Sequence, residues 1–478
     1  MTQETEKPPI PSSEDNAIAP EKETVTITNS NAIAQYFNFA ELNTNLRTEI
    51  IAGITTFVTM AYILVVNPGI LSNAIFLQES GDLFSELAIA TGLSAAIATL
   101  VMGLYAKYPF VLAPGMGINA YFAFSVVLTL GIDWRIALAA VFIEGIIFII
   151  LTVTNLRALI VALIPECIKH ATAAGIGLFI AYIGLSGNPE TGGAGLIVTN
   201  PVTTTTLGDL SNPNTLMAIA GLFITSAFIA RRIKGALLWG ILATAVLGWI
   251  LQISPPPQGL VAVPSVPVHL FGQAFVGLGE VLKVNFWQLI SVIFVFFFVD
   301  LFDTIGTLTG LGMKAGYINE KGEFPNVNRA FMADAIGTTA GAVLGTSTVT
   351  TYIESASGVS EGGRSGFTAV VAAVLFAFSI LFIPFLQAIP AFATAPALII
   401  VGVLMMGSAA RIRWDDPAES IPSFLTILIM PLSFSIAEGL AAGLIAYPLI
   451  KTFQGKSHEL KIGMWVLAAL FILKFAIG

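Results

Sequence analysis

The chain has 478 residues, 56% of them hydrophobic and only 10% charged, where an ordinary soluble domain carries roughly 25% charged residues. This composition excludes a water-soluble globular protein and fits one that crosses a bilayer many times. A formal net charge of −8 and a single cysteine, Cys167, argue against nucleic acid as a partner and exclude an internal disulfide framework.

Residues 1 to about 35 are polar and rich in Pro, Ser and Glu, with no apolar run of the kind a signal peptide needs. They read as a disordered tail. From Ile50 onward apolar runs recur, bounded by Pro, Gly, Asn or charge. The expected spans are about 50–67, 86–105, 111–129, 134–153, 170–187, 215–231, 236–253, 286–311, 329–345, 347–361, 366–385, 393–408, 421–435 and 437–452. With a cytoplasmic N-terminus, these fourteen spans leave only Arg135, Lys283 and Lys474 outside and collect every other Lys and Arg inside. Each loop then obeys the positive-inside rule, and one missed span would scramble the pattern downstream. Segments 188–213 and 253–283, rich in Gly, Pro, Thr and Ser, read as extracellular loops. The last apolar run, from Met464, reads as a fifteenth span or an interfacial helix.

Two halves echo each other. IPECIKHATAAGIGLFIAYIG from Ile164 is matched by IPAFATAPALIIVGVLMMG from Ile389, and KGALLWGILATAVLG from Lys234 by EGLAAGLIAYPLI from Glu438. Seven spans per half is an odd number, so the repeats are expected to insert with opposite orientation, as in inverted-repeat transporters. The third span of each half opens badly for a helix: VLAPGMGINAYFAF from Val111 holds Pro114, Gly115 and Gly117, and LGTSTVTTYIESASG from Leu344 opens on small and β-branched residues. Extended backbone followed by half-helices is expected at both. Such backbone is tolerable at mid-membrane only against protein or a cavity, so the place where the two breaks meet is the expected binding site, with half-helix N-termini aimed at it.

Acids inside the spans carry the functional signal. Asp300 falls about 20 Å along a helix begun at Phe286, far inside a hydrocarbon core of ~30 Å. A charged side chain there costs ~2.5–3.5 kcal/mol on insertion scales and is functional by default. Glu354, just after the second break, is a candidate on the same ground, and Asn119 occupies the corresponding place in the first half. Asp303 shares a helix face with Asp300 and is read as the proton carrier or as the organiser of the site. Asp334 starts a run of glycines four apart and stands between function and helix packing; Glu144 and Glu438 are expected to hold helices together. Gly115-Met-Gly117-Ile-Asn-Ala120 matches the dinucleotide G-x-G-x-x-G/A pattern, but no βαβ context surrounds it. No phosphate-binding loop, H-E-x-x-H or G-x-S-x-G motif occurs, so no enzyme chemistry, ATP drive or cofactor is implied.

Several stretches closely resemble AzgA-like purine permeases of the nucleobase:cation symporter-2 family: FFFVDLFDTIGTLTG at 296–310, GTSTVTTYIESASGV at 345–359, ITTFVTMAYILVVNP at 54–68, APGMGINAYF at 113–122 and IPSFLTILIMPLSFSIAEGLAAG at 421–443. The resemblance runs from about residue 36 to the end. It implies an all-α polytopic fold of fourteen spans in two inverted repeats of seven. A core domain would comprise spans 1–4 (36–155) and 8–11 (285–388), and a gate domain spans 5–7 (156–284) and 12–14 with the last apolar segment (389–478). It further implies proton-coupled uptake of adenine, guanine or hypoxanthine across the plasma membrane, with Asn119, Asp300 and Glu354 binding the base and Asp303 also needed. The expected partners are a purine nucleobase, H⁺ as coupling ion and membrane lipid, with a homodimer left open. A carboxyl group's hold on its proton follows its surroundings, which makes coupling to substrate or access plausible. The rival readings are a sulfate-type anion carrier of the same architecture and a channel.

Overall fold

The computed structural model describes residues 32–154, 164–187, 194–264, 266–318 and 324–477. Of the tail expected up to about residue 35, residues 1–31 lie outside them, as do Arg157 and Lys321, two of the cations used for orientation; Ala32–Tyr36, the end of that stretch, is instead a short helix.

Each expected span is found as a helix or as a helix broken by a short strand. In chain order, spans 1 and 2 are Leu46–Leu71 and Phe84–Ala106; span 3 is strand β1 (Leu112–Pro114) followed by helix Met116–Thr129; spans 4 to 7 are Trp134–Thr154, Glu166–Ser186, Pro213–Ala230 and Ala236–Ile250. The loop expected between spans 5 and 6 carries a small antiparallel hairpin of β2 (Ile197–Asn200) and β3 (Thr204–Leu207). Spans 8 and 9 are Phe286–Ala315 and Val327–Leu344; span 10 is β4 (Val349–Thr351) followed by helix Ser355–Ser360. Spans 11 to 14 are Gly366–Gln387, Ala391–Arg411, Pro417–Ser433 and Ile436–Phe453. A last helix, Ile462–Ile477, follows. Among the described residues, nine helices are long and apolar enough to cross a bilayer alone; of the other five spans, 3 and 10 spend part of their length as strand, 7 and 13 are shorter, and 9 is less apolar.

Local sequence sets the ends. Asn45, Asn285, Ser365 and Asp416 each accept a backbone N–H in the first turn of spans 1, 8, 11 and 13, which occupies donors that a helix leaves unpaired. Gly345 closes span 9 at φ 95°, where an added Cβ would stand 2.5 Å from the Cβ of Leu270.

Packing sorts the spans. Span 9 lies against spans 2 and 4, span 11 against spans 1 and 2, and span 8 against span 4; separately, span 12 packs on spans 5, 6 and 7, and span 13 on spans 5 and 14. At one end of the first set, the fully buried carboxylate of Glu49 in span 1 accepts the backbone N–H groups of Arg364 (2.9 Å), Ser365 (3.3 Å) and Thr368 (3.2 Å) and the hydroxyls of Thr44 (2.7 Å) and Thr368 (2.5 Å). A side chain of span 1 thus caps the N-terminus of span 11, where the helix dipole also favours a negative charge. Glu49→Gln is expected to lower stability by about 2–3 kcal/mol, the size of hydrogen bonds to a charged group, and Thr44→Val by about 1 kcal/mol; thermal unfolding of the detergent-purified protein measures both.

Candidate functional site

The two broken spans meet. β1 and β4 pair antiparallel with Leu112 opposite Thr351, Ala113 opposite Thr350 and Pro114 opposite Val349. The ladder extends at each end, with Gly115 N–H to Thr348 O (2.9 Å) and Tyr352 N–H to Val111 O (3.0 Å). An isolated two-stranded ribbon leaves its outward backbone groups bare, which is costly away from water. Threonines from neighbouring helices supply the missing partners. Thr99 of span 2 donates to Leu112 O and accepts from Leu112 N–H, both at 3.0 Å. Thr338 of span 9 does the same for Val349, at 2.9 and 3.2 Å. Pro114 also faces outward, where its lack of an N–H removes a donor that would need a partner, and its carbonyl accepts from the Tyr352 hydroxyl.

This crossing positions the candidate residues. Asn119 follows β1 in the helical part of span 3 and is fully buried; its Oδ1 accepts from Ser347 Oγ, just before β4, and its Nδ2 has no partner. Glu354 immediately precedes helix Ser355–Ser360, just after β4; it is half-buried, and its Oε1 accepts from the Tyr62 hydroxyl of span 1 at 2.8 Å. Span 8 runs past β4 and the helix that follows it. Asp300 on this span is fully buried. Its Oδ1 lies 3.5 Å from the Thr304 hydroxyl, and its Oδ2 has no donor. Asp303, one helical turn on, is exposed; its carboxyl meets the Thr350 hydroxyl of β4 and faces Glu354.

Hydroxyls knit span 8, β4 and span 9 together. Thr304 Oγ1 lies 2.9 Å from Thr350 Oγ1 and donates at 3.0 Å to Asp334 Oδ2; Thr351 donates to Asp334 Oδ1 at 3.2 Å. Thr348 donates at 3.2 Å to Glu144 Oε2 of span 4. Asp334 and Glu144 are both fully buried, and Glu144 contacts Asp300 directly. Sequence reasoning gave Glu144 to helix packing and left Asp334 between two roles, although Glu144 lies as deep in its apolar span as Asp300 does in span 8. Depth alone would have promoted it. The threonines left no such signal, since a Thr in a helix most often turns its hydroxyl to its own backbone. An apolar cavity of about 560 Å³ between span 4, span 8 and Leu467 holds none of these polar groups, so the site is marked by its unpaired atoms and not by that hollow.

Comparison with known proteins agrees with the architecture. A family model described as "Permease family" matches residues 47–441. A putative permease of Methanocaldococcus jannaschii is 52% identical over 93% of this chain and 98% of its own length. The guanine/hypoxanthine permease PbuG of Bacillus subtilis is 44% identical over 92% of this chain and 98% of its own, and the adenine permease AdeP of Escherichia coli 42% identical over 92% and 95%. All are named as permeases and none as an enzyme. Among solved structures, the transmembrane domain of the cyanobacterial bicarbonate transporter BicA superposes with a TM-score of 0.57 at 17% identity, covering 84% of this chain and 97% of that one. Murine Slc26a9 gives 0.55 at 12% identity, over 91% and 74%. These two share the fold.

Two residues before Asn119, span 3 approaches span 5 closely: a Cβ on Gly117 would stand 2.4 Å from Cγ2 of Ile176. Any movement of one set of spans past the other must clear this contact. Gly117→Val is expected to reduce transport by about tenfold or more, as overpacking by a branched side chain costs ~1–3 kcal/mol, and adding Ile176→Ala restores most of it; uptake by membrane vesicles measures both.

Proposed function

The chain belongs to the Permease family, and on that premise we propose that it imports a purine nucleobase (adenine, guanine or hypoxanthine) across the plasma membrane together with a proton. The names of the Bacillus subtilis and Escherichia coli relatives, which align over nine-tenths of this chain, support the substrate class. One structural observation carries the reading. At the strand crossing, a buried acceptor, Asp300 Oδ2, and a buried donor, Asn119 Nδ2, both lack protein partners. A purine has the complementary pattern, with ring N–H and exocyclic NH₂ donors beside ring-nitrogen and carbonyl acceptors.

In this reading Asp300 and Glu354 accept from the base and Asn119 donates to it. Asp303, between Thr350 and Glu354, organises the site. Spans 1–4 and 8–11 form the core domain that carries the base, and spans 5–7 and 12–14 the gate domain it moves against, so that the site opens to one face at a time. The distribution of Lys and Arg supports a cytoplasmic N-terminus. An anion carrier of this fold is the rival reading, but a bound anion would meet Asp300 and Glu354 as like charges. The anion carried by a solved neighbour is no guide at 17% identity.

Radiolabelled hypoxanthine, guanine and adenine uptake into cells lacking their own purine carriers tests the proposal. Asp300→Asn and Glu354→Gln are each expected to lower uptake about 10–100-fold, the equivalent of one hydrogen bond to a charged group, and a protonophore to abolish accumulation. Asp303→Asn is expected to weaken binding less than either. Full uptake by all three variants, or competition by sulfate and not by hypoxanthine, overturns it.

A further inference from the structure

Resting on the purine-and-proton reading above, we propose that Glu144 of span 4 is the second half of the coupling site: the transported proton is held between the Glu144 and Asp300 carboxyl groups, and its presence leaves Asp300 able to accept from the base. The roles given so far leave Glu144 idle, yet its geometry is not that of a packing residue. Glu144 and Asp300 are both fully buried and in side-chain contact. Each keeps one oxygen without a donor, Glu144 Oε1 and Asp300 Oδ2. Ionised carboxylates are acceptors only, so two of them form a hydrogen bond only when one carries a proton.

Among the described residues, the surroundings offer no cation to take its place. From span 8 the pair is faced by Asp300 itself, with Asp303 one turn on; from span 9 by Asp334; and from the segment before β4 by the Thr348 hydroxyl. The helical part of span 3 brings Tyr121, whose hydroxyl is buried without a partner. Helix Gln273–Glu280, which also packs on span 4, brings Glu280, whose carboxylate is taken up by Lys283. Among the described residues, none of the ion pairs involves Glu144, Asp300 or Asp334. Two bare carboxylates touching in this place repel strongly, and a proton between them removes the repulsion.

The order of events follows. A proton arriving from the outer face binds Glu144, which donates to Asp300 Oδ1, where Thr304 makes only a 3.5 Å contact, and leaves Oδ2 for a purine N–H. Once the site faces inward, loss of that proton leaves two adjacent negative charges. Their repulsion shifts Asp300 away from the base, so the base follows the proton out and the empty pair returns without one. Glu144→Gln supplies a permanent donor to Asp300 and cannot release it.

The test uses the full chain in proteoliposomes. Wild-type protein is expected to accumulate hypoxanthine about tenfold per unit of inward pH gradient, the equivalent of one proton per base. Glu144→Gln is expected to keep hypoxanthine counterflow within about threefold of wild type, a difference near the thermal energy, while losing gradient-driven accumulation and the pH dependence of binding; Glu144→Asp retains coupling. An infrared carboxylic-acid band that titrates with pH and vanishes in Glu144→Gln and Asp300→Asn is expected with or without substrate. Normal accumulation and an unchanged pH profile in Glu144→Gln overturn the proposal, as does uncoupling in Asp303→Asn with Glu144→Gln still coupled, or absence of the infrared band in wild type. If Glu144→Gln does not insert, Thr348→Val, which removes the hydroxyl on Glu144 Oε2, is expected to shift the pH midpoint of uptake, and no shift is contrary. Failure of wild type to move any purine defeats the substrate reading alone, since the infrared band still decides the proton pair.

Discussion

Everything near the middle of this protein depends on keeping a short piece of extended backbone hydrogen-bonded where there is no water. Three residues of span 3 and three of span 10 leave the helix, and each alone would strand its N–H and C=O groups at a cost of several kcal/mol apiece. Crossing the two strands satisfies the inner edges, and on the outer ones Thr99 serves Leu112 and Thr338 serves Val349. Helix can then restart on either side, which puts Asn119 after one break and Glu354 after the other. The polar site is a by-product of a backbone solution, and its side chains inherit their positions from it.

The same economy governs the acids. Asp334 is held by two threonine hydroxyls, Glu144 by a third, and Thr304 links Asp334 to β4. Hydroxyls can donate or accept as neighbouring carboxyl groups change state, which a lysine or arginine at the same place could not do. A cluster of acids bound by hydroxyls, with no cation among the described residues fixing its charge, stays responsive to protons and to a ligand.

Much of this was legible in the chain. Span count and order followed from apolar runs and from where Lys and Arg fall, because the bilayer imposes one dominant rule on composition. The two breaks were legible from Pro114, Gly115 and Gly117 and from the Thr-rich stretch before Glu354, since neither makes a good helix interior. Partnering was not. Nothing in the sequence says that Thr99 serves Leu112 or that Glu144 touches Asp300, because those contacts join residues 13 and 156 positions apart, and only tertiary packing sets them. The hairpin at 197–207 was missed for a related reason: its strands, rich in Thr, Val and Asn, read as polar loop in a segment also rich in Gly and Pro.

The strand pair also has a consequence for biogenesis. β1 and β4 are separated by about half the polypeptide, yet neither can complete its bonding without the other. At synthesis rates of ~5–20 residues per second, the first strand emerges roughly ten to fifty seconds before its mate exists. During that interval Thr99 can serve Leu112, but the inner edge has only water or the insertion machinery to turn to. The nascent first half is therefore held as an unfinished assembly, and the arrival of residues 349–351 is the step that lets the buried centre close.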